Sequence, residues 1–558
     1  MGSKFNELTM DAAVERRPMG RYPRPSMVRD SYMCLNGKWD DGVTVPFPLE
    51  SRLSGFKGRF TGEYTYFRKI CIDKDFMKNR ILLHFGAVDA IADVYIDDSL
   101  VCHHEGGYLP FTIDVTDYIH IDKVQTLTVE VRDSLSHLYP YGKQKKNRGG
   151  MWYTPVSGIW QTVWMESVPE KYIKSIEITP SLDRVTFDVE TDEEVIGIEI
   201  YDGDMLVYKG KSDNPYFTVP IKNPVLWTPD NPHLYDVTIT AGRDEVKSYF
   251  GLRTVSIGEV KGVKRILLND KPFFFHGVLD QGYFPEGIFT PNNEDVYRED
   301  ILRLKALGIN TIRKHIKIEP ECFYEACDRL GMLVFQDMVN NGRYSFMRDT
   351  VMPTIGHKTI DDTKRRVKDE VKATFEQHME DTLAHLYNFP CIVYYTIFNE
   401  GWGQFDSDIM YDIMRAMDST RIIDSTSGWF WQTTSDVDSY HIYFKDVQIE
   451  ESDRPIILSE FGGYSYKIPE HSFNLKKNYG YGKAESSEQL TEMIVSLYTK
   501  DILPAIDKGL CGSIYTQATD VEDETNGFYT YDRKVCKVDA DRMRKLAEAL
   551  SQRMTDGT

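Results

Sequence analysis

The sequence predicts a multidomain chain in which two β-sandwiches precede a C-terminal (β/α)8 barrel. Three observations lead there. Residues 1–170 read as short strands between turn signals, and residues 171–256 do the same in a separate, smaller unit. From 257 to 558, strand-like runs alternate with amphipathic helical ones. A length of 558 residues corresponds to about three to five domains at 100–200 residues each, or fewer where one is a large barrel.

In the first unit, Arg80–Phe85 and Ile91–Ile96 are β-rich, Asp97-Asp98 reads as a turn, and Leu127–Val131 alternates as a half-buried strand does. Few segments here have helical period, so an all-β sandwich is expected. In the second, Tyr172–Ile178, Val195–Ile200 and Tyr235–Ile239 are strands, and the length suits an immunoglobulin-like sandwich. It contains no cysteine, so no disulfide pins it.

In the third unit, Val367, Val371, Phe375, Met379, Leu383 and Leu386 make an apolar stripe on a helix at 364–387. Ile409, Ile413 and Met417 make a second stripe, and Leu490, Ile494 and Leu497 a third. Eight strands start near Phe273, Ile309, Met332, Cys391, Arg421, Asp438, Pro455 and Cys511. Eight strands alternating with helices imply a closed parallel barrel. No GxGxxG follows a strand, so a dinucleotide-binding sheet has no support.

Composition narrows the function. Sixty-six basic and 86 acidic residues give a net charge of −20, which repels phosphate and argues against nucleic-acid partners and anionic membranes. No apolar run is long enough to span a bilayer. The eight cysteines are scattered without a CxxC, and the start Met1–Asn6 lacks a leader's apolar core. Both fit a cytoplasmic chain with free thiols and without a zinc site. Homo-oligomerisation is compatible with all of this.

A barrel places its chemistry at the C-terminal ends of the strands. The fourth strand ends in Asn399-Glu400 followed by Gly401-Trp402-Gly403, and the seventh ends in Ser459-Glu460 followed by Phe461-Gly462-Gly463. Strands four and seven lie three apart on an eight-strand ring, so the two carboxylates face each other across the mouth. One acid that protonates a leaving oxygen and one carboxylate that attacks the anomeric carbon or activates water are what glycosidic cleavage requires.

These residues bring the chain to a known family. Asp89–Ile96, His104–Phe111 and Ser157–Trp164 resemble the N-terminal jelly-roll signature of glycoside hydrolase family 2, the group of β-galactosidases, β-glucuronidases and β-mannosidases. Leu226–Tyr235 resembles the end of its immunoglobulin-like domain, and Phe250–Arg253 the crossing into its barrel. Asn399-Glu400 matches its acid/base motif and Ser459–Gly462 its nucleophile motif.

The resemblance implies a carbohydrate or glycoside substrate, Glu400 as general acid/base and Glu460 as nucleophile of a retaining exo-enzyme. It also implies Asn399 on the sugar 2-OH, with Tyr443 and Arg313 holding the nucleophile. His315, at a shifted place relative to the family's second-strand histidine, and Asp280, where many relatives carry His-Glu-Asp, are sugar-binding candidates. Asp337 is a further strand-end carboxylate. Trp429, with Trp402, Trp431, Phe430 and Tyr515, offers a sugar platform or loop packing. The basic run Lys143, Lys145, Lys146 and Arg148 reads as a solvated loop able to reach a neighbouring site.

Thr525–Phe528 stands where many family β-glucuronidases have Asn-x-Lys, and it lacks the lysine. The reading therefore leans to a β-galactosidase-like exo-enzyme. A β-hexuronidase remains the alternative, with Lys314, Lys317 or Arg343 gripping the carboxylate. No cofactor or required metal is expected. The competing class is a non-catalytic carbohydrate-binding protein, against which the presence of both glutamates argues.

Overall fold

The computed structural model describes residues 18–443 and 445–556; the segment examined above for a leader lies outside the described residues. The first sandwich packs two four-stranded antiparallel sheets. One runs in the order Met33–Cys34, Val163–Val168, Arg80–Phe85, Phe111–Asp114, and the other Glu63–Cys71, Val124–Arg132, Ile91–Ile96, Ser99–Glu105. Arg80–Phe85 and Ile91–Ile96 are strands over the residues expected. Along Ile91–Ile96 the buried positions alternate with half-buried ones, because successive side chains leave opposite faces of a strand. Leu83, Phe85, Val94, Leu127 and Val129 fill the space between the sheets.

The second sandwich packs a three-stranded sheet (Ile173–Pro180, Arg184–Thr191, Tyr216–Pro220) on a four-stranded one (Met205–Ser212, Ile196–Asp202, Tyr235–Ala241, Asp244–Phe250). Val185, Phe187, Ile198 and Ile239 form its core.

Eight parallel strands follow: β1 (Phe275–Asp280), β2 (Thr311–Lys314), β3 (Leu333–Asp337), β4 (Ile392–Asn399), β5 (Ile422–Ser427), β6 (Asp438–Ile442), β7 (Ile456–Phe461) and β8 (Leu510–Tyr515). They pair in the order β5-β4-β3-β2-β1-β8-β7-β6. Among the described residues β5 and β6 share no ladder. Side chains bridge that seam instead, Ser427 Oγ lying 3.2 Å from Ser439 Oγ. Every residue of β4 and β7 is buried, which is why both read as near-continuous apolar runs.

The long helix spans Asp369–Leu386 and buries Val371, Phe375, Met379, Leu383 and Leu386 as expected; Val367 precedes it. The second expected stripe is corrected. Helix Ser407–Met417 buries Met410 and Met414, while Ile409 and Met417 are exposed. Both sets repeat every four residues, so the period alone did not choose between two faces one residue apart. Among the described residues no helix is long and apolar enough to cross a membrane.

Two buried arginines tie the units together. Arg29 donates to Glu166 of the first sandwich (3.0 Å) and to Asp244 of the second (2.8 Å), and reaches the Ile173 carbonyl between them. Arg253 crosses into the barrel and donates to the carbonyls of Pro390 (2.9 Å) and Ile392 (2.7 Å) at the start of β4.

Candidate active site

The ends of β2, β3, β4, β6 and β7 converge on one polar cluster. Glu400 follows β4 in the left-handed backbone region, at φ +52°. A side chain other than glycine rarely adopts this conformation, and it is typical of functional positions. Its amide donates to the Ser427 carbonyl (3.0 Å). Gly401 follows at φ +72°, and a Cβ there would lie 2.3 Å from the Phe430 ring, so glycine is required for the turn that presents Glu400. Glu460 sits within β7. One oxygen of each carboxylate and a ring nitrogen of His441 all lie within 4.8 Å of one another.

Two side chains donate to Glu460, and His441 stands close by. Arg313 Nη1 donates to Oε1 (3.1 Å), Tyr443 Oη donates to Oε2 (2.7 Å), and His441 Nε2 lies 3.7 Å from Oε1. Arg313 is fully buried and uses its whole fork: Nε on Asp337 (2.9 Å), Nη1 also on the Ser459 carbonyl (3.0 Å), and Nη2 on Asn399 Oδ1 (2.9 Å). Asn399 is thereby fixed with Nδ2 as a buried donor that no described residue satisfies. Tyr443 also contacts Thr516 Oγ1 (2.8 Å) and stacks on Tyr481 at 3.8 Å between ring centres.

His441, to which the sequence assigned no role, proves central. Its Nδ1 lies 2.9 Å from Glu400 Oε1, while Nε2 faces Ser427 Oγ (2.9 Å) and Arg313 Nη1 (3.3 Å). An arginine has only protons to offer. Its approach to Nε2 therefore places the imidazole proton on Nδ1, pointing at Glu400. Ser427, Ser439 and Ser459 form a hydroxyl cluster beneath the ring (2.6–3.2 Å).

The two carboxyls have opposite electrostatics. Burial raises the Glu400 carboxyl above its ordinary value, and the nearby Glu460 charge adds to this against the His441 hydrogen bond. Burial would also raise Glu460, but His441 and Arg313 override it and hold the group at about 2. One group is therefore held as an ionised carboxylate, and the other keeps its proton to higher pH than an ordinary glutamate. Such a divergence marks an acid and its partner.

The other expected residues are placed as follows. His315 donates or accepts at Nδ1 with Asp337 (2.7 Å), so Asp337 orients both Arg313 and His315; burial, with Lys143 next, lowers the imidazole to about 4. Asp280 receives Lys314 Nζ (2.5 Å) and the Gly282 amide. Trp429 donates Nε1 to the Glu400 carbonyl (3.1 Å) and lies edge-on to His441. Among the remaining aromatics, Trp402, Phe430 and Tyr515 are buried in loop packing, Trp402 against Trp152 and Tyr515 against Phe528; Trp431 donates to the Ser439 carbonyl.

Lys314 and Lys317 are corrected. Both are buried with their ammonium groups committed. Lys314 Nζ lies on Asp280 and Glu319 (2.8 Å), and Lys317 Nζ on Glu319 (3.0 Å) and the carbonyls of Gly282 and Phe289. Neither is free to grip a substrate carboxylate. Arg343 lines a separate cavity on the Glu400 side.

The basic run is corrected at one residue: Lys145, Lys146 and Arg148 are exposed as expected. Lys143 is buried rather than solvated, and its Nζ lies over the rings of Tyr153 (5.6 Å) and Trp402 (5.9 Å). Its charge acts on Glu400, Glu460, Glu524 and His315, so a loop of the first sandwich delivers a cation to the barrel mouth. Beside it, Glu524 accepts from Tyr153 Oη (2.9 Å) and Gln517 Nε2 (2.6 Å). A pattern read strand by strand does not register such residues, because they come from loops far apart in the chain.

Glu400, His441 and Glu460 are also close enough to share a metal ion. Their donors, however, are already engaged by Arg313, Tyr443, Ser427 and one another, and the Arg313 charge occupies the place of a cation.

Two sandwiches ahead of a (β/α)8 barrel, with two glutamates facing each other at its mouth, are the architecture of a glycoside hydrolase. The chain belongs to glycosyl hydrolases family 2: residues 259–470 match its TIM barrel domain, 171–253 its middle domain, and 41–169 its sugar binding domain. A β-galactosidase of Thermoanaerobacter pseudethanolicus is 26% identical over 49% of this chain and 39% of its own length, so the match spans well under half of that relative. The solved β-D-glucuronidase of Dictyoglomus thermophilum superposes with a TM-score of 0.75 at 19% identity, covering 96% of this chain and 98% of that one. A β-galacturonidase of Eisenbergiella tayi, solved with galacturonate, gives 0.67 at 18%, covering 93% and 97%. Identities this low establish the shared fold.

Proposed function

We propose that the protein is a retaining exo-β-glycosidase acting by double displacement. The observation that carries this reading is the facing pair, Glu460 ionised on Arg313 and Tyr443 and, within 4.8 Å, Glu400 with its carboxyl raised by burial. A retaining mechanism needs carboxyl groups about 5–5.5 Å apart, whereas an inverting one needs about 6.5–9.5 Å to admit water.

Glu460 attacks the anomeric carbon while Glu400 protonates the departing oxygen. The resulting ester neutralises Glu460, and the acidity of Glu400 rises, so it now accepts a proton from the water that releases the sugar. The unsatisfied Nδ2 of Asn399 is available to the sugar 2-OH, a contact that strengthens in the transition state. Glu460→Gln tests the assignment, because unchanged turnover of an aryl β-glycoside would return the chain to the non-catalytic class. NMR of the first-formed sugar should show the β anomer, and an α product would exclude double displacement.

Two sugar readings have support. The missing lysine after β8 favours a β-galactoside. Lys143 favours a β-hexuronide, since it places an ammonium at the mouth with no ion pair among the described residues. A buried cation without a partner is costly unless a ligand anion supplies one. We take the hexuronide as the better supported. A panel of nitrophenyl galactoside, glucoside, glucuronide, galacturonide and mannoside decides: fastest turnover of a neutral sugar would reverse the choice.

A further inference from the structure

Beside the Glu400 loop lies a cavity of about 690 Å3, within the size range of small-ligand sites. Its wall carries Arg343, Arg348, Arg365, Arg366 and Lys368, together with His137 from the first sandwich. Carboxylates answer two of the five cations: Asp349 pairs with Arg348 (2.5 Å) and Glu370 with Lys368 (2.9 Å). Arg343, Arg365 and Arg366 have no ion pair among the described residues. Burial, reinforced by the charge of Arg348, draws the half-buried Arg365 down to about 10. On a chain of net charge −20, this concentration of positive charge in a concavity runs against the overall field.

The cavity adjoins the loop that carries Glu400. Arg365 Nη1 donates to the carbonyl of Gly401 (2.8 Å), the residue after Glu400, and Gly403 of the same loop forms part of the wall. An acid/base residue sits on the leaving-group side of the scissile bond, so a cavity backed by its loop lies where the leaving group extends. Guanidinium groups match carboxylate and sulfate oxygens geometrically.

We propose that this cavity is an anionic leaving-group subsite, with Arg343, Arg365 and Arg366 receiving a carboxylate or sulfate on the group released. The proposal rests on the glycosidase reading and extends it from the sugar to its aglycone.

The test uses the full chain and glycosides of the best sugar from the panel, with phenyl, 3-carboxyphenyl and 3-sulfophenyl leaving groups. The quantity read is the ratio of kcat/KM for the anionic over the neutral aglycone, in the wild type and in Arg343→Glu/Arg366→Glu. Comparing variants cancels differences in leaving-group acidity. The ratio should fall at least tenfold on charge reversal and shrink in 0.5 M salt. A fall with the carboxylate alone would assign carboxylate aglycones, and a fall with both any anion. A milder pair, Arg343→Gln/Arg366→Gln, must change the ratio in the same direction, which guards against misfolding of the first. A ratio indifferent to both pairs overturns the proposal.

Calorimetric binding of digalacturonate gives a readout independent of turnover, and it should weaken at least tenfold on charge reversal. Arginine-dependent binding without cleavage of any phenyl glycoside would defeat the glycosidase reading and with it the leaving-group assignment. Cleavage with arginine-independent binding and rates would defeat the subsite alone.

Discussion

His441 Nδ1 lies 2.9 Å from Glu400 Oε1, and the opposite nitrogen of the same ring lies 3.7 Å from Glu460 Oε1. One imidazole therefore touches both carboxylates of the pair, with Arg313 and Ser427 fixing its orientation from below. A proton held on Nδ1 stabilises ionised Glu400, which would serve the second half of the proposed double displacement, when this group must accept a proton. The first half needs the opposite state, so His441 sets a compromise between the two.

Replacing His441 with alanine should separate those halves. Loss of a hydrogen bond to a charged group, about 1.5–3 kcal/mol, should move the alkaline limb of the kcat/KM profile upward by about one pH unit or more. It should also slow hydrolysis of the glycosyl ester, so that a burst of phenol precedes steady turnover. An unmoved alkaline limb would reduce His441 to packing.

The pH dependence of the wild type follows from the two carboxyls. The proposed mechanism needs Glu460 ionised, which its value of about 2 secures across the working range. It also needs Glu400 protonated, a state that burial and the Glu460 charge extend to higher pH. The profile should therefore show little acid limb above pH 3 and an alkaline limb set by Glu400. In Glu460→Gln the neighbouring charge is gone, so the Glu400 carboxyl, followed by carbon NMR, should titrate lower than in the wild type. No difference between the two proteins would mean that the pair is uncoupled.

Much of this site was legible along single strands. Asn399-Glu400 and Ser459-Glu460 end apolar runs, and a barrel has one face for such ends, so their convergence followed from strand count and order. Arg313 and Tyr443 lie at strand ends too. The residues that escaped do so for physical reasons. Lys143 enters from another domain, and a charge run has no period that distinguishes a buried cation from a solvated one. Lys317 read as a strand-end cation, but Ile316 at φ +45° breaks the extended backbone after β2. Alternation then no longer tells where a side chain points, and Lys317 turns to Glu319. The Ile409 stripe failed because two helix faces carried the same spacing.

Lys143 discriminates between sugars only if it meets the substrate. Lys143→Met removes the charge and keeps the stem over Tyr153 and Trp402. The loss of a charge-assisted hydrogen bond should reduce kcat/KM for a hexuronide by about 10–100-fold and leave a neutral glycoside within a few-fold. Equal losses on both would assign Lys143 to the field around the carboxylates rather than to the sugar.

The junction of the sandwiches makes a stability prediction of definite sign. Glu166 is buried between Arg24 (2.9 Å) and Arg29 (3.0 Å), with Tyr22 Oη also donating to it (2.5 Å). Burial would raise its carboxyl, but Arg24, His84 and Arg29 overcome this and hold it at about 2. The unfolded chain titrates near 4.3. A group depressed in the folded state contributes stability in full above the unfolded value and loses it as pH falls through the folded one. The contribution is about 3 kcal/mol, present at pH 7 and vanishing between about pH 4.5 and 2. Glu166→Gln leaves the buried arginines under-compensated, at a cost of about 3–5 kcal/mol at neutral pH. It also removes the titration. Urea midpoints measured at pH 7, 4 and 3 should therefore start lower in the variant and decline less steeply than in the wild type. Parallel declines would show that acid destabilisation arises elsewhere, and the Arg29 link between the sandwiches would then be a geometric feature without this energetic role.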